Sequence, residues 1–156
     1  MTGSRSRALV VAAFVAAGAV AAACASAPRV VPPLSNSAIA PSLGVDLAEY
    51  TRTTDGLYYR DLVVGTGDEA VASSRVTVAY RLLLANGTQV DSSAGLPIRL
   101  ARDPIIPGWK LGIPGMRAGG SRILVIPPQL GYDWREVGSV PPNSTLLFRV
   151  QLLKVE

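Results

Sequence analysis

The chain has 156 residues, 49% of them hydrophobic, and carries 15 lysines and arginines against 11 acids, enough for one globular domain and something besides. The charges are spread singly rather than clustered, which argues against a nucleic-acid surface and fits a solvated, mixed-charge exterior. With no histidine and the single cysteine Cys24, disulfides within the chain, histidine-based metal sites and Ser-His-Asp or Cys-His nucleophile systems are excluded.

At the N-terminus Arg5 and Arg7 precede an uncharged run, ALVVAAFVAAGAVAAACASA, which reads as the n- and h-regions of a secretory signal over residues 1–23. It ends on Ala21-Ala22-Ala23-Cys24, small residues before a cysteine, similar to the lipobox of bacterial lipoproteins, in which that cysteine receives the lipid. Ala21 stands where that pattern usually has leucine. Ordinary cleavage after an A-x-A site, or an uncleaved anchor of near the about 18–20 residues needed to span, remain open beside it. All three readings place the rest of the chain outside the cytoplasm, in the cell envelope.

Residues 24–44 continue as ASAPRVVPPLSNSAIAPSLG after the cysteine. This stretch is rich in Pro, Ser and Ala and lacks helical or strand period, so it is expected to be an extended tether. The domain proper is expected over residues 45–156, and its dominant period is two. Val76, Val78, Tyr80, Leu82 and Leu84 fall on one face of a strand. Asn86-Gly87 then signals a hairpin, both residues tolerating positive φ, and Thr88–Asp91 returns as the partner. Leu57–Val64, Pro97–Leu100, Ser121–Ile126 and Thr145–Val155 also read as strands.

Between them lies PIIPGWKLGIPGM, residues 104–116, with three prolines, three glycines and one of the two tryptophans. Pro107 suits a first helical position, having a fixed φ and no N–H to leave unpaired. Pro114 and Gly115 end the helix about two turns later. The expected fold is therefore α+β: a twisted antiparallel sheet of five to six strands with one short helix against it. A large aromatic on so short a helix is either a core residue or the floor of a pocket.

The order of motifs resembles the FKBP-type peptidyl-prolyl cis-trans isomerases. The segments VTVAYRLLLANGTQVDSS, IIPGWKLGIPGMRAGGSRILVIPPQLGY and SVPPNSTLLFRVQLLKVE carry the likeness across residues 46–156. No single motif is specific, but their combination in this order is. The resemblance implies a sheet curled around one helix, with an apolar hollow between them and Trp109 as its floor. By the same resemblance Tyr80 and Asp91 form the polar pair on the sheet side, and Asp91 would otherwise read as a turn-end carboxylate beside Ser92 and Ser93. Ile105 and Ile106 match the aliphatic wall, with the Ile106 N–H as a donor to the bound chain. Tyr132 matches the tyrosine whose hydroxyl donates to a substrate carbonyl. Phe148 matches the aromatic of the last strand and Val140 a loop aliphatic beside the pocket.

Three positions depart from the family pattern. Val90 stands where phenylalanine is usual, Leu96 replaces a second pocket aromatic, and Asp133 replaces the usual glycine after Tyr132. They imply a less aromatic, more open site, with altered substrate preference or reduced rate. The implied activity is rotation about X–Pro bonds of exported proteins, which needs neither cofactor nor metal; the alternative is a non-catalytic chaperone or protein-binding module on the same fold. Implied partners are proline-containing polypeptides, macrolide immunosuppressants and, through a lipid on Cys24, a membrane.

Overall fold

The computed structural model of the chain describes residues 32–156. The signal segment, Cys24 and the first part of the expected tether lie outside the described residues. Strands β1 (Thr51–Arg52), β2 (Tyr58–Val63), β3 (Arg75–Leu84) and β4 (Gln89–Arg99) precede helix α1 (Pro107–Gly112), and β5 (Ser121–Ile126) and β6 (Leu146–Val155) follow it. The six strands form one sheet in the order β1-β2-β5-β6-β3-β4, and every neighbouring pair is antiparallel. The expected α+β architecture is therefore the observed one. The pairing of β6 with both β5 and β3 puts the last strand in the middle of the sheet.

Alternation sorts the side chains. Leu146, Phe148, Val150 and Leu152 of β6 point to the inner face with Val76, Val78 and Leu82 of β3 and Leu124 and Ile126 of β5. That face meets α1, whose Trp109 and following Ile113 are buried in the same cluster. Pro107 does stand in the first turn of α1, where its missing N–H leaves no unsatisfied donor. The helix lies directly on the sheet because Gly108 and Gly112 carry no side chain. A Cβ at Gly108 would come within 2.6 Å of Ile126 Cδ1, and one at Gly112 within 2.6 Å of Leu124 Cδ2.

Two expectations differ in detail. Residues 89–99 form a single strand, not two, because a register shift between Val78 and Tyr80 of β3 absorbs the Ala94-Gly95 step within the pairing. A bulge of this kind bends a strand without ending it. At the hairpin only Gly87 takes a positive φ, 91°. Asn86 instead uses its side-chain carbonyl to accept from the Thr88 N–H at 2.9 Å, which is the turn chemistry of a three-residue loop.

The larger difference is in the segment expected to be a tether. From Leu34 onward it packs on the outer face of the sheet. Ile39 is 3% exposed and clusters with Leu47, Tyr50, Tyr58, Ile123, Val125 and Leu147, and Leu34, Leu43 and Val45 pack against them. The Ala40 N–H donates to the Ala85 carbonyl at 2.7 Å, and the Asn36 side chain bridges to Asp46 and the Leu47 N–H. Irregularly spaced apolar residues gave no period to read. Yet Ile123, Val125 and Leu147 make the outer face apolar too, and burying it needs a cover.

Candidate active site

Between the inner face and the N-terminal end of α1 lies a hollow of about 170 Å³. Its lining brings together Tyr80, Asp91, Leu96, Ile105, Ile106, Trp109, Tyr132 and Phe148, eight of the residues that the resemblance implied, from five separate stretches. Pro104 also lines it. Sequence reasoning missed that residue, although it opens the proline-fenced stretch whose breaks shape this corner.

Trp109 belongs to both readings offered for it. It is 4% exposed and packed in the core, and it forms part of the hollow's lining. Its ring stands edge-on to Tyr80 at 5.1 Å and to Phe148 at 5.2 Å between centroids, and Tyr80 and Phe148 are 5.8 Å apart. Edge-to-face pairing of this kind orients rings more firmly than area burial alone. The indole Nε1 is buried without a hydrogen-bond partner.

The polar pair is joined as well. The Tyr80 hydroxyl donates to Asp91 Oδ2 at 2.6 Å, and Asp91 Oδ1 accepts from the Ser92 N–H at 2.8 Å. Asp91 thus serves the hollow and its own turn at once. Burial, reinforced by the bond to Asp91 and its charge, pushes the Tyr80 phenol up to about 12. Burial also raises the Tyr132 phenol, helped by the Asp91 charge. Both hydroxyls therefore stay protonated at any physiological pH.

Besides the buried indole Nε1, two further donors of the lining are unclaimed. The Tyr132 hydroxyl has no hydrogen-bond partner among the described residues. The Ile106 carbonyl accepts from the Trp109 and Lys110 N–H groups, while the Ile106 N–H donates to no backbone carbonyl among the described residues. Free donors beside an apolar cavity are what a peptide carbonyl would find there.

Val90 and Val140 fall elsewhere. Val90 sits half-buried at a second β3–β4 register shift, between Leu82 and Leu83, and packs on the core edge, outside the lining. Val140 is buried in the core at 4% exposure, under the loop that follows Tyr132. In that loop Asp133 adopts φ 54°, the left-handed conformation that glycine enters freely and aspartate with less difficulty than most residues. The turn the resemblance expects is thus kept without its glycine, and the Asp133 carbonyl ties it to the Asn143 N–H at 2.7 Å.

A residue the sequence reading passed over anchors the helix from behind. Arg122, on β5, donates to Asp61 on β2 through Nε at 2.6 Å and a terminal nitrogen at 2.9 Å. Its other terminal nitrogen donates to the Gly112 carbonyl at 2.9 Å, and its guanidinium lies 4.6 Å over the Tyr59 ring. A cation on the last carbonyls of α1 satisfies acceptors that the helix cannot satisfy itself.

Comparison with known proteins agrees with this geometry. The family model for FKBP-type peptidyl-prolyl cis-trans isomerases matches residues 67–153. An FK506-binding protein of Neisseria meningitidis serogroup B is 46% identical over 105 residues, which cover 64% of this chain and 96% of that one. FkpA of Escherichia coli K12, an FKBP-type peptidyl-prolyl cis-trans isomerase, is 40% identical over 106 residues, covering 67% of this chain and 39% of that protein. The crystal structure of Escherichia coli FkpA superposes with a TM-score of 0.65 at 35% identity, over 74% of this chain and 55% of that one. That of AtFKBP13 gives 0.64 at 35% identity, over 69% and 99%. The chain belongs to the FKBP-type peptidyl-prolyl cis-trans isomerase family and is an enzyme of that class.

Proposed function

We propose that the hollow above Trp109 turns X–Pro bonds of exported polypeptides in the cell envelope. The observation that carries this is an apolar cavity lined by Trp109, Phe148, Ile105 and Leu96, with two unclaimed donors, the Ile106 N–H and the Tyr132 hydroxyl, in the same lining. Rotation about the imide breaks no bond. Its barrier of about 18–20 kcal/mol is the loss of amide resonance, and uncatalysed exchange takes tens to hundreds of seconds. The twisted amide is less dipolar at its carbonyl than the planar one, so dry, apolar walls favour it relative to the ground state.

The roles follow from position. Trp109 and Phe148 seat the proline ring, with Ile105 and Leu96 closing the aliphatic side. The Ile106 N–H and Tyr132 hydroxyl hold carbonyls that flank the turning bond. Asp91, whose two oxygens are engaged by Tyr80 and Ser92, acts as a fixed brace for the Tyr80 ring rather than as a base. Each tenfold of rate asks for ~1.4 kcal/mol of preference for the twisted form, a sum within reach of a few such contacts. Val90 and Val140 support the lining from outside it.

Trp109→Leu is expected to lower kcat/KM on a short proline peptide by about tenfold or more, while costing about 1–3 kcal/mol of stability. NMR exchange or protease-coupled kinetics below the variant's melting temperature separate the two effects. Turnover equal to the parent's in the folded variant contradicts the role given to the indole. Macrolide immunosuppressants would occupy the same hollow and compete with peptide. The small-residue run before Cys24 supports attachment of the enzyme to a membrane by a lipid on that cysteine. Cys24→Ser is then expected to move the protein from the membrane fraction to the soluble one.

A further inference from the structure

The outer face of the sheet is only half covered. Where the N-terminal segment stops, an open groove of about 520 Å³ runs across β2, β5, β6, β3 and β4, its lining including Leu62, Ser121, Arg149, Arg81 and Ser92. Arg81 and Arg149 stand directly opposite each other on neighbouring strands. Like charges at such positions repel, and both guanidiniums are charged at any physiological pH. Neither has an ion-pair or hydrogen-bond partner among the described residues. Among the described residues no acidic one lines the groove, and its third cation, Arg122, is already committed to Asp61. The result is a donor-rich, acid-free trough around an uncompensated pair of cations.

We propose that this groove binds an acidic segment of the same client polypeptide whose proline occupies the hollow. The inference rests on the isomerase reading and adds to it a second, sequence-selective contact. Charge complementarity argues for carboxylates, and continuity argues for a polypeptide. Tyr80 lines both the hollow and the groove. Asp91 on the hollow side and Ser92 on the groove side are consecutive residues of β4, and β4 is an edge strand with nothing paired beyond it among the described residues. A client chain can therefore pass from one to the other over that edge. Crossing about 10 Å of sheet at ~3.3 Å per residue takes about three residues, and rounding the edge adds about two more. Clients with glutamates or aspartates at that distance from a proline are held at both points.

The test uses the full-length chain and peptide probes. A short proline peptide is compared with the same peptide extended by four glutamates, or four glutamines, about five residues from the proline. The glutamate extension is expected to raise kcat/KM by about five- to tenfold at low salt. That gain vanishes in the Arg81→Glu, Arg149→Glu double variant and at about 0.5 M salt, whereas turnover of the short peptide is unchanged. Removing one member of the repelling pair, Arg149→Gln, leaves the melting temperature equal or higher, and the unchanged short-peptide turnover of the double variant shows that misfolding does not explain its loss. Fluorescence anisotropy of a proline-free glutamate peptide reads the groove independently, and it decides the proposal even if no peptide is isomerised. No gain with glutamates, an equal gain with glutamines, or a gain that survives the double variant overturns it. So does binding of phosphatidylglycerol vesicles through these arginines with no affinity for the glutamate peptide.

Discussion

At the scale of single residues the site is organised by a hydroxyl that never ionises in use. The Tyr80–Asp91 bond depends on a protonated phenol, and burial together with that bond holds its pKa near 12 against an ordinary 10.0. A folded-state value above the unfolded one means that the stabilisation is fully present below about pH 10. It is lost as pH climbs through the folded value. The parent should therefore lose stability between about pH 10 and 12, and Tyr80→Phe should lose less over that interval. Urea titrations at the two ends check this; identical pH slopes for both proteins contradict it. Tyr132 shifts in the same direction, so the difference between parent and variant, not the parent's slope, is the quantity to read. Asp91→Asn should keep the fold and loosen the Tyr80 ring, lowering kcat/KM by about three- to tenfold.

At the scale of elements, α1 is a helix of six residues, too short to be stable alone. It is positioned by what touches it. Gly108 and Gly112 let it settle onto Ile126 and Leu124, and Arg122 fastens its last carbonyls to the Asp61–β2 side. Gly108→Ala should push the helix off the sheet, costing about 1–3 kcal/mol and displacing Trp109, so kcat/KM should fall with stability in chemical denaturation and kinetics. Asp61→Ala leaves the buried guanidinium, 9% exposed, with only backbone acceptors and one ring face. A loss of about 2–4 kcal/mol is expected, and Arg122→Met should cost less because it removes the charge along with its partner.

At the scale of the whole molecule the sheet has two cores, one under the helix and one under residues 34–50. A chain beginning at Val45 lacks Leu34, Ile39 and Leu43 and exposes part of Ile123, Val125 and Leu147. It should be about 2–4 kcal/mol less stable than one beginning at residue 32, with little change in turnover of a short peptide, since the hollow opens on the other face. Equal denaturation midpoints for the two chains would show that this cover contributes nothing. The arrangement also separates tasks: the inner face carries the hollow proposed for proline, the covered part of the outer face holds the fold, and the uncovered part is left for Arg81 and Arg149.

Much of this is local in origin and so could be read along the chain. Alternating β-branched and aliphatic residues specify β3 and β6, because a pleat sends neighbours to opposite faces. Pro107, Pro114 and Gly115 bound a helix by their fixed or permissive dihedrals, and the resemblance of the motifs to the FKBP pattern implied Tyr80, Asp91, Ile106, Trp109, Tyr132 and Phe148 as the lining. Three-dimensional packing alone decided the rest. Whether Leu34, Ile39 and Leu43 are linker or cover depends on an apolar outer face that β5 and β6 create only once paired. Whether Val90 and Val140 face the hollow depends on a register shift and a loop closure, and the partners of Arg122 lie 61 and 10 residues away. Periodicity encodes which way a side chain points from its own strand; what waits there is set by residues remote in sequence.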